Sequence, residues 1–139
     1  MRSVLDAIAA HARGESPREC CGLLIGGDDV IHEAVATGNA AEDTGRRYEI
    51  SPVEYLAQIK RCRTLGEKDG VPLAVIGAYH SHPRSAPEPS PTDLREAFEG
   101  FLFLIAGPVE GPGPMAIKAY RLIDGVLRAV PLVPEIGAT

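Results

Sequence analysis

LAVIGAYHSHPRSAPEPSPTD, residues 73–93, is the stretch around which the rest of the chain is interpreted. Its first eight residues are almost all apolar, which is typical of a strand buried on both faces of a sheet. His80 and His82 lie at the end of that run, two positions apart, so on a regular strand both side chains project to the same side. A proline-rich segment then leads to Ser90 and Asp93, where the pattern Ser-Pro-Thr-Asp predicts the start of a helix.

Three potential metal ligands lie in this stretch: His80, His82 and Asp93. Imidazole and carboxylate groups are zinc ligands, and a catalytic zinc takes three protein ligands and leaves the fourth position for water. The prolines repeated through residues 83–91 stiffen the chain, and this reduces the conformational entropy lost when Asp93 is held beside the histidines. The alternative for Ser90 and Asp93 is a helix cap, in which the acid lies near the positive end of the helix dipole. A cap does not exclude metal binding.

A hydrolytic zinc site also needs a base for the attacking water and a donor for the oxyanion. Glu19, which immediately precedes an apolar run ending in two glycines, is the best-placed base, and Ser90 is the candidate donor. Two other acids compete with this assignment. Glu15 is expected to be solvated beside a helix end. Glu33 follows His32, but the second histidine of an H-E-x-x-H zinc motif is missing.

The other patterns predict a mixed sheet with helices packed on it. Hairpins are expected at both ends of the chain, the second at the Asp124-Gly125 turn. The predicted helices cover residues 3–13, 51–66 with Ser51 as cap, and a third from Ser90 through Phe101. The predicted strands cover residues 20–27, 30–37, 46–50, 73–80, 101–107, 115–123 and 126–133. We expect one domain over residues 1–134 and a loose tail over residues 135–139.

The composition narrows the class of protein. The 139 residues are 45% hydrophobic and 24% charged, which are ordinary globular values. The net charge of −5 argues against nucleic acid or an anionic membrane as a partner. Three cysteines, of which Cys20 and Cys21 are adjacent, favour a reduced cytoplasmic protein, and Cys62 is expected to be a core residue. The apolar runs are too short to cross a bilayer.

The array of Glu19, His80-x-His82, Ser90 and Asp93 resembles the JAMM/MPN+ zinc metalloprotease motif, E…H-x-H-x(7)-S-x-x-D. The spacing from the second histidine to the aspartate matches without insertion. The surroundings of the glutamate, ECCGLLIG, resemble those in the short prokaryotic branch of the family, and the resemblance covers almost the whole chain. It implies a cytidine-deaminase-like α/β/α sandwich. It also implies zinc bound by the two histidines and the aspartate, the glutamate as general acid/base, and the serine as oxyanion stabiliser.

The resemblance further implies hydrolysis of the bond after the C-terminal Gly-Gly of a ubiquitin-like or sulfur-carrier protein. Arg46, Arg47 and Tyr48 are then candidates for contact with the substrate tail, although an ordinary edge strand explains them equally well. The segments 38–50 and 107–114 are the expected groove walls. The leaving group, the choice between a peptide and an isopeptide bond, and the oligomeric state stay open.

Three other functions compete with this interpretation. A nucleobase deaminase would share the fold, but the H-x-E…P-C-x-x-C signature is absent. A cysteine protease would need Cys20 or Cys21 as an accessible nucleophile, and burial in a strand is favoured for both. A non-catalytic MPN-type interaction scaffold is the alternative from a different class. Members of that kind lack metal ligands, whereas this sequence has all of them.

Overall fold

A computed structural model describes residues 2–45, 47–70 and 72–133 of the chain. Its helices are α1 (Arg2–Glu15), α2 (Pro52–Asp69) and α3 (Pro91–Glu96). Its strands are β1 (Cys21–Gly27), β2 (Val30–Thr37), β3 (Ala74–Ser81), β4 (Leu102–Gly107), β5 (Ala116–Ile123) and β6 (Val126–Val130). The predicted tail over residues 135–139 lies outside the described residues. No helix in the described ranges is long and apolar enough to cross a membrane.

The strands form one six-stranded sheet in the order β2-β1-β3-β4-β5-β6. The central pair, β3 and β4, is parallel, and the other neighbours are antiparallel. Both ends of the sheet are hairpins, as predicted. At the second turn Asp124 and Gly125 both have a positive φ, which is the backbone that an Asp-Gly hairpin requires. The chirality of that turn is therefore encoded locally.

Helices cover both faces of the sheet. On one face, α1 buries Val4, Ile8 and Ala12 against a core that includes Leu24. On the other face, Leu23 belongs to a second, aromatic-rich core, against which Tyr55 of α2 packs. Because successive strand residues point to opposite faces, a strand between two cores is apolar at every position. The predicted mixed α/β sheet with helices packed on it is confirmed.

Residues 47–50 do not form the strand predicted over 46–50, and Arg46 lies outside the described residues. The side chain of Asn39 provides hydrogen-bond partners that a neighbouring strand would otherwise supply. Its Nδ2 donates to the Arg47 carbonyl at 2.9 Å, and its Oδ1 accepts from the Glu49 N–H at 3.0 Å. The segment is therefore held as an ordered loop that packs beside the sheet.

The first helix extends one residue before and two residues beyond its predicted range of 3–13, and the C-terminal ends of the other two helices differ by more. The second helix was expected to stop at Gly66, but it runs on to Asp69. Gly70 provides the left-handed cap with φ of 69°, and its N–H donates to the Gly66 carbonyl. The third helix ends at Glu96 instead of continuing to Phe101, because the aromatic residues at its predicted apolar positions pack together on the sheet. The ring centroids of Phe98 and Phe101 lie 4.3 Å apart, and Phe101 belongs to the second core.

The last strand ends at Val130 and not at residue 133. Pro131 follows it directly. Proline lacks the backbone donor that would extend the ladder.

Candidate metal centre

The end of β3 places the two histidines at the centre of the sheet edge. His80 pairs in register with Cys21 of β1 on one side and Ile105 of β4 on the other. The N–H of His82 donates to the Ala106 carbonyl at 2.7 Å, which extends the strand geometry by one residue. His80 is 2% exposed and His82 is 7% exposed. Both side chains are thus fixed, buried and directed to the same side.

Asp93 reaches these histidines from the first turn of α3. Ser90 is the N-cap: its Oγ accepts from the Asp93 N–H at 3.0 Å, and its own N–H donates to Oδ2 of Asp93 at 2.9 Å. This reciprocal capping box orients the carboxylate. The predicted cap is therefore present, and it leaves the carboxylate of Asp93 facing the histidines.

The donor atoms of the three predicted ligands lie close together, and each histidine faces a different carboxylate oxygen of Asp93. Nε2 of His80 lies 3.2 Å from Nε2 of His82 and 3.1 Å from Oδ1 of Asp93. Nε2 of His82 lies 3.2 Å from Oδ2 of Asp93. Within the described residues, this is the one group of three or more such side chains that could hold a metal ion.

The pKa shifts of His80 and Asp93 favour the forms that bind a metal, whereas that of His82 favours the protonated ring. Burial opposes ionisation of Asp93, but hydrogen bonds from both histidines outweigh it and hold the pKa of the carboxyl well below its usual range. Burial lowers the pKa of His80 and so keeps it neutral. Burial would do the same to His82, but Asp93 and the Ala86 carbonyl raise its pKa. The protonated ring of His82 donates from both nitrogens, from Nδ1 to that carbonyl at 2.8 Å and from Nε2 to Asp93 at 3.2 Å. Loss of the Nε2 proton leaves that nitrogen able to bind a metal, while Nδ1 keeps its bond to the carbonyl.

The proline-rich loop is anchored from two sides. The hydroxyl of Tyr120 on β5 donates to the Pro87 carbonyl at 2.7 Å. At the end of β4, Gly107 leaves room for the loop to approach: a Cβ there would lie 2.6 Å from the Ser85 carbonyl oxygen and 2.9 Å from that of His82. The loop can therefore pass close enough to β4 to bring α3 over the histidines.

Glu19 completes the arrangement. It is 7% exposed, and together with His82 and Ser90 it lines a cleft of about 240 Å³. Burial raises the pKa of Glu19 to about 7, with further contributions from His82, which lowers it, and Asp93, which raises it. A carboxyl that titrates near neutrality can both accept and return a proton.

Comparisons with known proteins identify the family to which the chain belongs. A family model described as prokaryotic homologs of the JAB domain matches residues 1–123. The chain belongs to this family. The desampylase of Haloferax volcanii is 34% identical over 110 residues, which cover 74% of this chain and 75% of the relative. The CysO-cysteine peptidase of Mycobacterium tuberculosis is 30% identical over 131 residues, covering 93% of this chain and 85% of the relative.

A solved structure of a Desulfitobacterium hafniense protein superposes with a TM-score of 0.81 at 25% identity and covers 96% of this chain and 89% of that chain. The JAMM/MPN+ resemblance is confirmed by the family match, and with it the predicted enzyme class, a JAMM-type peptidase. The individual roles of the five site residues stay predictions.

The two other candidates for the base, Glu15 and Glu33, lie away from the three predicted ligands. Glu33 is exposed and pairs with Arg61 at 2.6 Å, and Glu15 pairs with Arg18 at 3.5 Å. Cys20 and Cys21 are fully buried, as predicted, and burial raises the pKa of each thiol to about 11. Such thiols are not nucleophiles at neutral pH, which argues against the cysteine-protease alternative.

Of the three predicted substrate contacts, Arg47 and Tyr48 are described, and Arg46 lies outside the described residues. The ring of Tyr48 stacks on His80 with centroids 4.3 Å apart. Arg47 lies 3.9 Å from Glu96 of α3. Both Arg47 and Tyr48 line a groove of about 380 Å³ whose floor includes Phe98 and Phe101.

Two residues that the sequence analysis did not single out hold the site together. Ser81 accepts the Cys20 N–H at Oγ, at 2.8 Å, and thereby fixes the strand that follows Glu19. Asn39 donates to the Glu19 carbonyl at 3.0 Å. Neither residue belongs to a motif, and both act through contacts between segments far apart in the sequence, so no local signal identifies them.

Proposed function

We propose that this Prok-JAB protein is a zinc-dependent peptidase that hydrolyses the bond after the C-terminal Gly-Gly of a ubiquitin-like or sulfur-carrier protein. The cluster of donor atoms carries the proposal: Nε2 of His80 lies 3.2 Å from Nε2 of His82, and each lies 3.1 to 3.2 Å from a different oxygen of Asp93. Tetrahedral zinc with ligands at about 2.0–2.1 Å separates its donor atoms by roughly 3.3 Å, which matches the spacing of the two histidine nitrogens and leaves an oxygen of Asp93 close enough to be the third ligand. Two histidines and a carboxylate also hold iron in some oxygenases, but the hydrolytic relatives favour zinc.

When bound, zinc would lower the pKa of a water toward neutrality and polarise the scissile carbonyl. Glu19 accepts the proton of the attacking water and returns it to the leaving amine. The raised pKa of Glu19, about 7, suits both steps. Ser90 accepts the Asp93 N–H through its lone pair, so its hydroxyl proton is available for the developing oxyanion.

Support for the substrate class comes from the relatives and from the groove. One relative is named a desampylase and the other a CysO-cysteine peptidase. The aromatic groove runs from Tyr48 beside His80 to Phe98, which is 48% exposed. A Gly-Gly end lacks side chains and can therefore approach a buried metal centre. The aromatic floor of the groove suits an apolar residue of the substrate that lies further from the scissile bond. Arg47 at the rim is a candidate for polar contact with the tail. A cytoplasmic location stays a prediction from the three free cysteines.

The test is cleavage of a sulfur-carrier protein extended past its Gly-Gly end, in one substrate by a single residue and in another by an isopeptide-linked lysine. Wild type is expected to release the extension. Glu19→Gln is expected to lower kcat by roughly 10² to 10⁴. Glu15→Gln and Glu33→Gln serve as matched controls, because both acids are at least partly exposed ion-pair members outside the centre.

Full activity in Glu19→Gln would refute the proposed base. A wild type that binds no metal and cleaves neither extension would support the scaffold alternative. The ratio of rates on the two substrates decides between peptide and isopeptide specificity.

A further inference from the structure

The two histidines of the centre are held in different ways. The ring of His82 is oriented by a hydrogen bond from Nδ1 to the Ala86 carbonyl at 2.8 Å. Nδ1 of His80 is buried and has no hydrogen-bond partner among the described residues. Metal-bound histidines normally donate their second nitrogen to an acceptor that fixes the plane of the ring. At His80 another contact must perform that role.

Tyr48 provides such a contact. Its ring lies nearly parallel to the His80 imidazole, with an interplanar angle of 18° and centroids 4.3 Å apart. A stacked ring restricts rotation of the imidazole about its Cβ–Cγ bond, because any turn would drive the edge of one ring into the face of the other. The contact requires a flat side chain and does not require the phenol hydroxyl.

Hydrogen bonds to the neighbouring backbone hold Tyr48 in position. Asn39 bonds the backbone on both flanks, at the Arg47 carbonyl and the Glu49 N–H, and also bonds the Glu19 carbonyl. One asparagine thus fixes the loop that presents the stacking ring and the strand start that presents the proposed base. A loop tied in this way holds an aromatic ring against a ligand more firmly than a free loop would.

We propose that Tyr48 is a positioning residue for His80, and that its ring face sets the imidazole plane as the Ala86 carbonyl does for His82. The inference rests on the metal centre proposed above. It gives Tyr48 a role in metal affinity that is separate from any contact with substrate. It also predicts that the aromatic ring, and not the hydroxyl, is the essential part of the side chain.

The test is zinc affinity of the full chain, measured by competition with a chromogenic chelator, for wild type and three variants. Tyr48→Leu is expected to bind zinc about tenfold more weakly, as losses of outer-shell support commonly do. Tyr48→Phe keeps the stack and is expected to stay within about twofold of wild type. Tyr55→Leu is the matched control. Tyr55 lines the same groove and stacks on Phe101 with centroids 6.2 Å apart, without touching a ligand.

The melting temperatures of the metal-free proteins show whether each variant folds, and Tyr48→Met replaces Tyr48→Leu if the latter does not. Wild-type affinity in the folded Tyr48→Leu protein overturns the inference. Equal losses in Tyr48→Leu and Tyr48→Phe, or in Tyr48→Leu and Tyr55→Leu, overturn it as well. In each of these cases the metal centre itself stands. A wild type that binds no zinc overturns both the centre and the inference.

Discussion

The backbone N–H of Cys20 donates to Oγ of Ser81 at 2.8 Å, and the backbone N–H of Ser81 donates to the Cys20 carbonyl at 3.1 Å. Glu19 immediately precedes Cys20, and the two histidines flank Ser81 on either side. This reciprocal pair therefore joins the proposed base to the ligand strand across 61 positions of sequence. Since Ser81 points to the side opposite the histidines, its hydroxyl makes this bond without occupying the proposed metal centre.

Ser81→Ala tests this connection. The substitution leaves the buried Cys20 N–H without its side-chain acceptor, so the free energy of unfolding should fall by about 1–3 kcal/mol in urea denaturation. Peptidase activity should fall further than zinc affinity, because the base moves while the ligands keep their strand. Ser85→Ala, at an exposed position of the next loop, should leave stability unchanged. Equal stability of the two variants would show that the bond contributes nothing.

Ser90 has two roles that a matched pair of caps can separate. Ser90 and Ser51 are both N-caps, accepting the Asp93 N–H at 3.0 Å and the Val53 N–H at 3.1 Å respectively. Alanine at either position should cost about 1 kcal/mol of stability. Only Ser90→Ala should also lower kcat, by roughly 10² to 10³, if its hydroxyl stabilises the oxyanion. Similar kcat values for both variants would show that Ser90 caps the helix and does not stabilise the oxyanion.

Gly107 is predicted to be required for the close approach of the loop before α3 to the end of β4. In Gly107→Ala the new Cβ would meet the Ser85 carbonyl oxygen at 2.6 Å, and the backbone on both sides leaves little room to shift. We expect a loss of about 1–3 kcal/mol in unfolding free energy and weaker zinc binding, as overpacking moves Asp93 away from the histidines. Gly113→Ala is the control, since a Cβ there meets nothing within 4 Å. Normal zinc affinity in Gly107→Ala would contradict the close approach.

Burial of Glu19 should be measurable as a pH-dependent loss of stability in the metal-free protein. The pKa of Glu19 is about 7 in the folded state against 4.5 for the unperturbed group. Folding therefore favours the protonated acid, and its contribution is fully present below pH 4.5 and lost as the pH rises through 7. Glu19→Gln should raise the melting temperature by a few degrees at pH 8 and by much less at pH 4.5, on the order expected for about 1 kcal/mol. An equal shift at both values would contradict the raised pKa.

The sequence was sufficient for the parts of the site that depend on local geometry. His80 and His82 share a side because a strand has a period of two, and Asp93 faces them because a serine cap fixes the first turn of its helix. Both are short-range rules. No local rule assigns Glu19 to the site, because it precedes His80 by 61 positions, and only the family motif connected the two residues. The pairing of β1 with β3 brings Glu19 close to the histidines.

The parts that the sequence missed depend on contacts between segments. The strand predicted over 46–50 is absent from residues 47–50 because Asn39, eight residues before Arg47, forms hydrogen bonds with the backbone of Arg47 and Glu49. The third helix was predicted too long because Phe98 and Phe101 have helical spacing but pack on the sheet instead. Tyr48 was expected to contact substrate, and its stacking on His80 follows from the same unforeseen loop.

The most direct test of the account is the zinc content of purified protein, determined by elemental analysis for wild type, Glu19→Gln and the double variant His82→Ala/Asp93→Ala. We predict one zinc per chain in wild type and in Glu19→Gln, with peptidase activity only in wild type. The double variant should contain none, because it removes two of the three side chains that supply the clustered donor atoms. Stoichiometric zinc in a folded double variant would contradict the assignment of these residues as ligands.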